Sequence, residues 1–261
     1  MTVNLVVNIP KLIPAYNKKE KYGYTGLRGE RLGQLLHETT SGYCMYCYTR
    51  VAIDGKKFAH AEHAIESFHT KGKKKNKLLN CVPNIGTACP TCNMKFKSKG
   101  EKDLKYEPRD ILNFKRAVCK NPESCHEECR SYKKIKEIYI EKRKIILQPM
   151  GISRNGKDYL LQYNLLKLEF EPRGDMGYDV KDLEFINEHI NRFNLNDGKY
   201  RTRELLFFCR DSINNGLVLK KEKYNNYLVD LFVEKLLDHE PSNRIKICEI
   251  TFAIGLMKGL I

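Results

Sequence analysis

The sequence predicts an α+β fold, in which a cysteine-pinned core of short strands and a helix is followed by a mainly helical C-terminal region. Three observations carry that prediction. Two Cys-x-x-Cys pairs, Cys44/Cys47 and Cys89/Cys92, stand forty-one residues apart. Between them, Phe58-Ala59-His60-Ala61-Glu62-His63 alternates large and small side chains with the period of a strand. Beyond residue 180, apolar residues recur at helical spacing, first at Leu183, Ile186, Ile190 and Phe193. The expected organisation is a lead-in and helix over 1–40, a metal-held core over 41–118 and the mainly helical region over 119–261.

The thiols come first, because the core depends on them. A two-residue spacer lets a tight turn aim both sulfurs of a pair at one ion, and Zn²⁺ takes four thiolates in a tetrahedron. Cys44, Cys47, Cys89 and Cys92 are therefore candidate ligands of one structural Zn²⁺, whose binding would contribute directly to folding. Chance pairs and a redox dithiol are the alternatives for the same spacing. The gap is longer than in a simple zinc ribbon, so it must house further structure.

In chain order, Val3 to Tyr24 reads as an irregular or strand-like lead-in with Pro10 and Pro14 as breakers. From Gly26 to Thr40, Leu27, Leu32, Leu35 and Leu36 fit one face of a helix, and Arg28 and Arg31 on that helix are open between meeting phosphate and lying solvated. The strand Phe58–His63 follows. Lys71-Gly72-Lys73-Lys74-Lys75-Asn76-Lys77 is a basic loop whose place inside the core favours contact with a nucleic-acid backbone over a plain solvated tip. Met94 to Lys102 carries the core helix or its end, and Pro108 marks a fresh helix start. Cys119, Cys125, His126 and Cys129 form a second group without a Cys-x-x-Cys pair, open between another zinc site and unrelated thiols.

The remainder is simpler. Ile135 to Ile146 mixes helix and strand signals, Gly151 to Asp158 reads as a loop, and Tyr159 to Phe170 is β-prone before Glu171-Pro172-Arg173-Gly174. Helices are expected at Val180–Phe193, Thr202–Ile213 and Tyr224–Leu237. No segment repeats.

Composition narrows the partners. Lys+Arg 47 against Asp+Glu 32 gives a net charge of +15, which favours polyanions through counterion release without regard to base sequence. Ten cysteines in 261 residues are too sparse for a secreted disulfide scaffold. Met1 to Asn8 lacks the basic and apolar regions of a signal peptide. The most apolar stretch, Ile247 to Ile261, is interrupted by Glu249 and Lys258 and is too short to span a bilayer. A cytoplasmic protein with reduced thiols and no membrane partner is expected.

Four further residues carry candidate chemistry. A histidine such as His63 can take a proton from water near neutral pH. A hard cation prefers oxygen donors, which the Glu62 carboxylate and the Asn93 amide supply. Taken singly, His63 reads equally as a satisfied core histidine, Glu62 as a solvated acid, and Asn84 and Asn93 as turn residues. His60 shares a strand face with Glu62, either supporting a metal or packing. His69 adds little, and Lys97 reads as an exposed lysine within reach of phosphate.

The order Cys44…Cys47, Glu62-His63, Asn84, Cys89…Cys92-Asn93 resembles the HNH family of endonucleases, over Cys44 to Lys97. The resemblance implies two strands and a helix, a ββα core, around one divalent metal. By it His63 is the general base, Glu62 and Asn93 hold Mg²⁺ or Mn²⁺, and Asn84 fixes the loop through backbone hydrogen bonds. Nucleic acid, expected to be DNA, would be cut to a 5′ phosphate and a 3′ hydroxyl. Ala64-Ile65-Glu66-Ser67-Phe68-His69 lacks the proline that family members commonly carry after the histidine, which bears on loop geometry.

A second likeness lies in the tail. Arg192-Phe193-Asn194-Leu195-Asn196, then Leu205 and Arg210, is similar to HNH nucleases of retron-associated and Septu-type bacterial antiphage defence. The Gly42-Tyr43-Cys44-Met45-Tyr46-Cys47 run and the His60-x-Glu62-His63 string share that similarity, which implies a partner ATPase. No Walker-type loop occurs in the sequence, so ATP use would be supplied in trans. Two readings without chemistry stand beside it: a zinc-stabilised nucleic-acid-binding module, and a scaffolding subunit of a defence complex with a vestigial site.

Overall fold

A computed structural model describes residues 5–53, 56–66, 78–98, 106–116, 125–143, 145–146, 151–154, 156–216, 224 and 226–261. In its first half lie β1 (Val6–Asn8), α1 (Gly26–Thr39), β2 (Ala52–Ile53), β3 (Lys56–Lys57), β4 (His60–His63) and β5 (Ile85–Ala88). A π-helical segment (Cys92–Phe96), α2 (Pro108–Arg116) and α3 (Arg130–Arg143) follow. The second half holds β6 (Ser153–Arg154), β7 (Lys157–Asp158), β8 (Leu161–Asn164) and β9 (Glu169–Pro172). It closes with α4 (Val180–Arg192), α5 (Arg201–Asn214), α6 (Tyr227–Leu237) and α7 (Pro241–Met257). The protein is α+β, with small antiparallel sheets.

The chain divides into two compact units. One comprises Met1–Lys11, Cys47–Arg50 and Arg154–Ile261; the other comprises Leu12–Tyr46 and Val51–Ser153. This division differs from boundaries at 40 and 118, because α1 and α3 both belong with the unit that contains β4 and β5.

In that unit, α1 buries Leu32 and Leu36, one turn apart, while Leu27 is 72% exposed. The apolar stripe therefore starts a turn later than the sequence suggests. After the helix, Gly42 lies at φ 76° and its N–H bonds the His37 carbonyl at 3.0 Å. A left-handed residue there suits glycine, and an added Cβ would meet the His37 ring at 2.9 Å. Strands β4 and β5 pair antiparallel from His60↔Ala88 to His63↔Ile85. Helix α2 starts at Pro108, where proline has no donor to lose. The mixed signal after residue 130 resolves as helix α3, whose Tyr132, Ile135 and Tyr139 are buried on one face.

The other unit is built on a three-stranded sheet in the order β1-β8-β9, with Val7 opposite Tyr163 and Tyr163 opposite Phe170. The lead-in is thus a strand over three residues only. Residues 151–158, expected as a loop, include the pair β6 and β7, with Gly156 at φ 75° in the turn. Helix α4 opens with a reciprocal capping box: Asp182 N–H donates to Asp179 Oδ1 at 2.9 Å, and Asp179 N–H to Asp182 Oδ2 at 3.2 Å. Asn226 caps α6 through the Val229 N–H at 3.1 Å. Helices α5 and α7 meet at Gly255, where a Cβ would stand 2.5 Å from a Leu206 methyl, so the close approach requires glycine. No helix among the described residues is long and apolar enough to cross a membrane.

Candidate functional site

The four cysteines converge because β5 links the two pairs. Met45 N–H bonds the Thr87 carbonyl at 3.0 Å, docking the first pair against the strand, and β5 runs directly into Cys89. Cys92 N–H points at the Cys89 sulfur at 3.4 Å, a donor that favours the thiolate. The Sγ atoms of Cys44, Cys47, Cys89 and Cys92 all lie within 4.8 Å of one another. A tetrahedral zinc with Zn–S bonds near 2.3 Å needs S···S edges of roughly 3.8 Å, so the cluster can hold one ion. Cys44, Cys47 and Cys92 are buried, and none of the four sulfurs is in a disulfide. Four thiolates close the coordination shell, which suits a structural rather than a reacting metal.

Lys97 departs from expectation. Its side chain is buried at 2% exposure and not a solvated lysine. The Lys97 N–H closes an i→i+5 bond to the Cys92 carbonyl at 2.9 Å, and this π-turn re-aims the side chain toward β4. The ammonium donates to the Glu62 carboxylate and the His63 carbonyl, and Glu66 lies 3.4 Å away. The other Glu62 oxygen accepts from the Tyr46 hydroxyl at 2.7 Å. Burial alone would push the Lys97 pKa down, but Glu62 and Glu66 outweigh it and hold the pKa above the ordinary lysine value. Burial and Glu62 push Tyr46 well up, so it remains a neutral donor.

His63 is half-buried and has different neighbours. Its Nε2 faces the Leu79 carbonyl at 3.0 Å, and its ring lies 4.4 Å from that of Tyr24. A ring nitrogen facing a carbonyl must carry the proton, which leaves the lone pair on Nδ1. Burial lowers the His63 pKa below its ordinary value, with Leu79 and Glu62 opposing and Lys97 assisting. The lowered pKa favours the neutral imidazole.

Asn84, in the turn Val82–Asn84 that leads into β5, is fully buried. Its Oδ1 accepts from the Ile65 N–H at 2.8 Å and its Nδ2 donates to the Ile65 carbonyl at 3.0 Å. The Ala64 N–H bonds the Asn84 carbonyl at 2.7 Å, and the Tyr132 hydroxyl reaches Oδ1 at 3.2 Å. The chain leaving His63 is thereby fixed on both sides. Asn93 stands beside His60, with Nδ2 3.4 Å from His60 Nδ1.

The sequence placed His63, Glu62 and Asn93 around one phosphate. The structure gives them separate partners, because successive residues of β4 turn to opposite faces and Glu62 is taken up by Lys97 and Tyr46. Tyr46, Glu66, Tyr24 and the Leu79 carbonyl were not foreseen as parts of the site, and Lys97 was foreseen only as an exposed lysine within reach of phosphate. Only Tyr46, lying inside the first cysteine pair, is marked by its position in the sequence.

Among the described residues no second group of metal-ligating side chains gathers. His126 stacks on Tyr16 at 5.9 Å and its Nε2 faces the Glu20 carbonyl at 3.1 Å, while Cys119 lies outside the described residues. His69 and the basic run Lys71–Lys77 also lie outside them. Arg31, open in the sequence between phosphate and solvent, pairs with Glu20 at 2.9 Å.

Fold and site together define an α+β protein with a four-cysteine cluster able to hold zinc. Comparison with protein-family models, with curated proteins and with solved structures finds no match to this chain.

Proposed function

We propose that the protein is an HNH-type endonuclease that hydrolyses phosphodiester bonds in nucleic acid, DNA in the first instance. Cys44, Cys47, Cys89 and Cys92 would hold its structural Zn²⁺. The observation that carries this reading is the placement of His63: its Nε2 faces the Leu79 carbonyl at 3.0 Å, which sets the tautomer and leaves Nδ1 to accept a proton, while burial favours the neutral ring. A base so poised can deprotonate the attacking water, worth roughly 10²–10⁴-fold in rate. Asn84 holds the backbone immediately beyond that base, and β4, β5 and the helical segment after them follow in the order the resemblance implies.

Phosphodiester hydrolysis of this type draws on a divalent cation to neutralise the phosphate and the leaving oxygen. Glu62 does not fit the ligand role expected of it, since both carboxylate oxygens are bonded and an ammonium already stands against them. The Asn93 amide nitrogen faces His60 Nδ1 at 3.4 Å, so the two side chains would turn to offer an ion a ring nitrogen and an amide oxygen, a set that suits Mn²⁺ better than Mg²⁺. A role in antiphage defence with a partner ATPase belongs to the same proposal and rests on the tail motif. In that motif Asn196 clamps β9, accepting from the Phe170 N–H at 2.6 Å and donating to its carbonyl at 3.0 Å, so part of it serves the fold.

The buried Glu62–Lys97 pair favours one other reading, a zinc-stabilised nucleic-acid-binding or scaffolding protein without catalysis. Supercoiled-plasmid cleavage with Mg²⁺ and with Mn²⁺, on the wild type and on His63→Ala, separates the two. Nicking that depends on His63 supports the nuclease; binding without nicking in either metal supports the other.

A further inference from the structure

Helix α5 presents a stripe that the site above does not use. Arg203, Phe207 and Arg210 follow one another at four and three residues, the spacing of one helix face, and Tyr200 stands at the N-cap just before them. The opposite face buries Thr202, Leu205, Leu206 and Cys209. On the outer side, Tyr200 is 62% exposed, and Arg203 and Arg210 are exposed as well. The Arg203 guanidinium lies 5.3 Å from the Phe207 ring centroid and that of Arg210 lies 4.9 Å from it, so one ring orders two cations. Glu204 is turned aside to Asn226, and Asp211 is shared between Arg210 at 3.0 Å and the Tyr224 hydroxyl at 2.8 Å.

We infer that this stripe binds single-stranded nucleic acid, with bases stacked on the guanidinium planes and the Tyr200 ring and phosphate on the Arg203 N–H edge, the Nε and Nη2 of Arg210 being held by Asp211. A guanidinium held against a ring keeps its other face for a base and its edge for a phosphate, which an ammonium cannot do. The stripe is about 15 Å long, room for a short unpaired run. Duplexes hide their base faces, so alternating aromatic and arginine side chains favour the open strand. The surplus of cations over anions in the chain has the sign such a partner requires. The inference goes beyond the nuclease reading and does not depend on it.

Fluorescence anisotropy on the full zinc-loaded chain tests it, in a His63→Ala background without added divalent metal. The probes are a short oligothymidylate, an oligouridylate of equal length, a duplex and an acidic peptide. Single strands should bind about tenfold tighter than duplex, and Arg203→Glu/Arg210→Glu should lose about tenfold of that affinity with circular dichroism and zinc content unchanged. Arg203→Lys/Arg210→Lys, which keeps the charge but not the planes, should lose about threefold. The two homopolymers distinguish DNA from RNA as the source of the strand. The inference is overturned if the Glu variant binds single strands like its parent, if duplex binds equally well, or if only the acidic peptide binds. Cleavage is not read here, so failure leaves the nuclease proposal intact, and an inactive plasmid assay leaves this one intact.

Discussion

The Lys97 ammonium is bonded to the Glu62 carboxylate within the protein, with side-chain exposures of 2% and 1%. Two opposite charges removed from water are costly to separate, because whichever remains has lost both its hydration and its partner. The pair is the electrostatic centre of the face of β4 that meets the segment after the second cysteine pair.

Lys97→Met should therefore destabilise the protein by about 3–5 kcal/mol, since Glu62 and Glu66 would face each other without a cation. Lys97→Met combined with Glu62→Gln should recover much of that loss. Urea denaturation of the two variants and the wild type measures the coupling. Additive losses would show that the pair contributes nothing as a pair.

Asn84→Ala removes both bonds to Ile65 and leaves a buried N–H and C=O without their partner. A loss of about 2–3 kcal/mol is expected. Denaturation of the variant checks it, and a cost below about 0.5 kcal/mol, the range of a neutral surface change, would mean that the loop after His63 is held by other contacts.

Zinc content should be one ion per chain by elemental analysis. A thiol-competing chelator should release it with loss of thermal stability, since an ion closed by four thiolates would be part of the folded state. Cys89→Ser should lower both together. A chain that keeps its melting temperature after complete metal removal would contradict the structural role.

Acid dependence follows from the lowered pKa of His63. As the base of the proposed nuclease His63 would work only when deprotonated, so activity should be lost as pH falls through its pKa in the folded protein. Burial moves that point below the ordinary histidine value of 6.5. The acid limb of kcat/KM against pH should bend below 6.5. A bend above it would assign the proton transfer to another group.

Much of this was legible in the sequence. The cysteine spacing located the cluster, and helical periodicity located α4, α5 and α6 to within about three residues, because those signals are local. Lys97 was not legible: its burial depends on a π-turn and on two carboxylates from distant positions, and an exposed lysine is the default for an isolated one. The separation of Glu62 from His63 was implicit in strand alternation, but two chemically suited neighbours invite a shared role. The short pair β6 and β7 was lost because two-residue strands carry almost no periodic signal.

The most direct measurement is cleavage of supercoiled plasmid by the zinc-loaded wild type and by His63→Ala at neutral pH, with Mn²⁺ and with Mg²⁺. The account predicts nicking by the wild type, favoured by Mn²⁺, and its loss by orders of magnitude in a variant that keeps zinc content and fold. Equal nicking by both proteins, or none by the wild type in either metal, would contradict it.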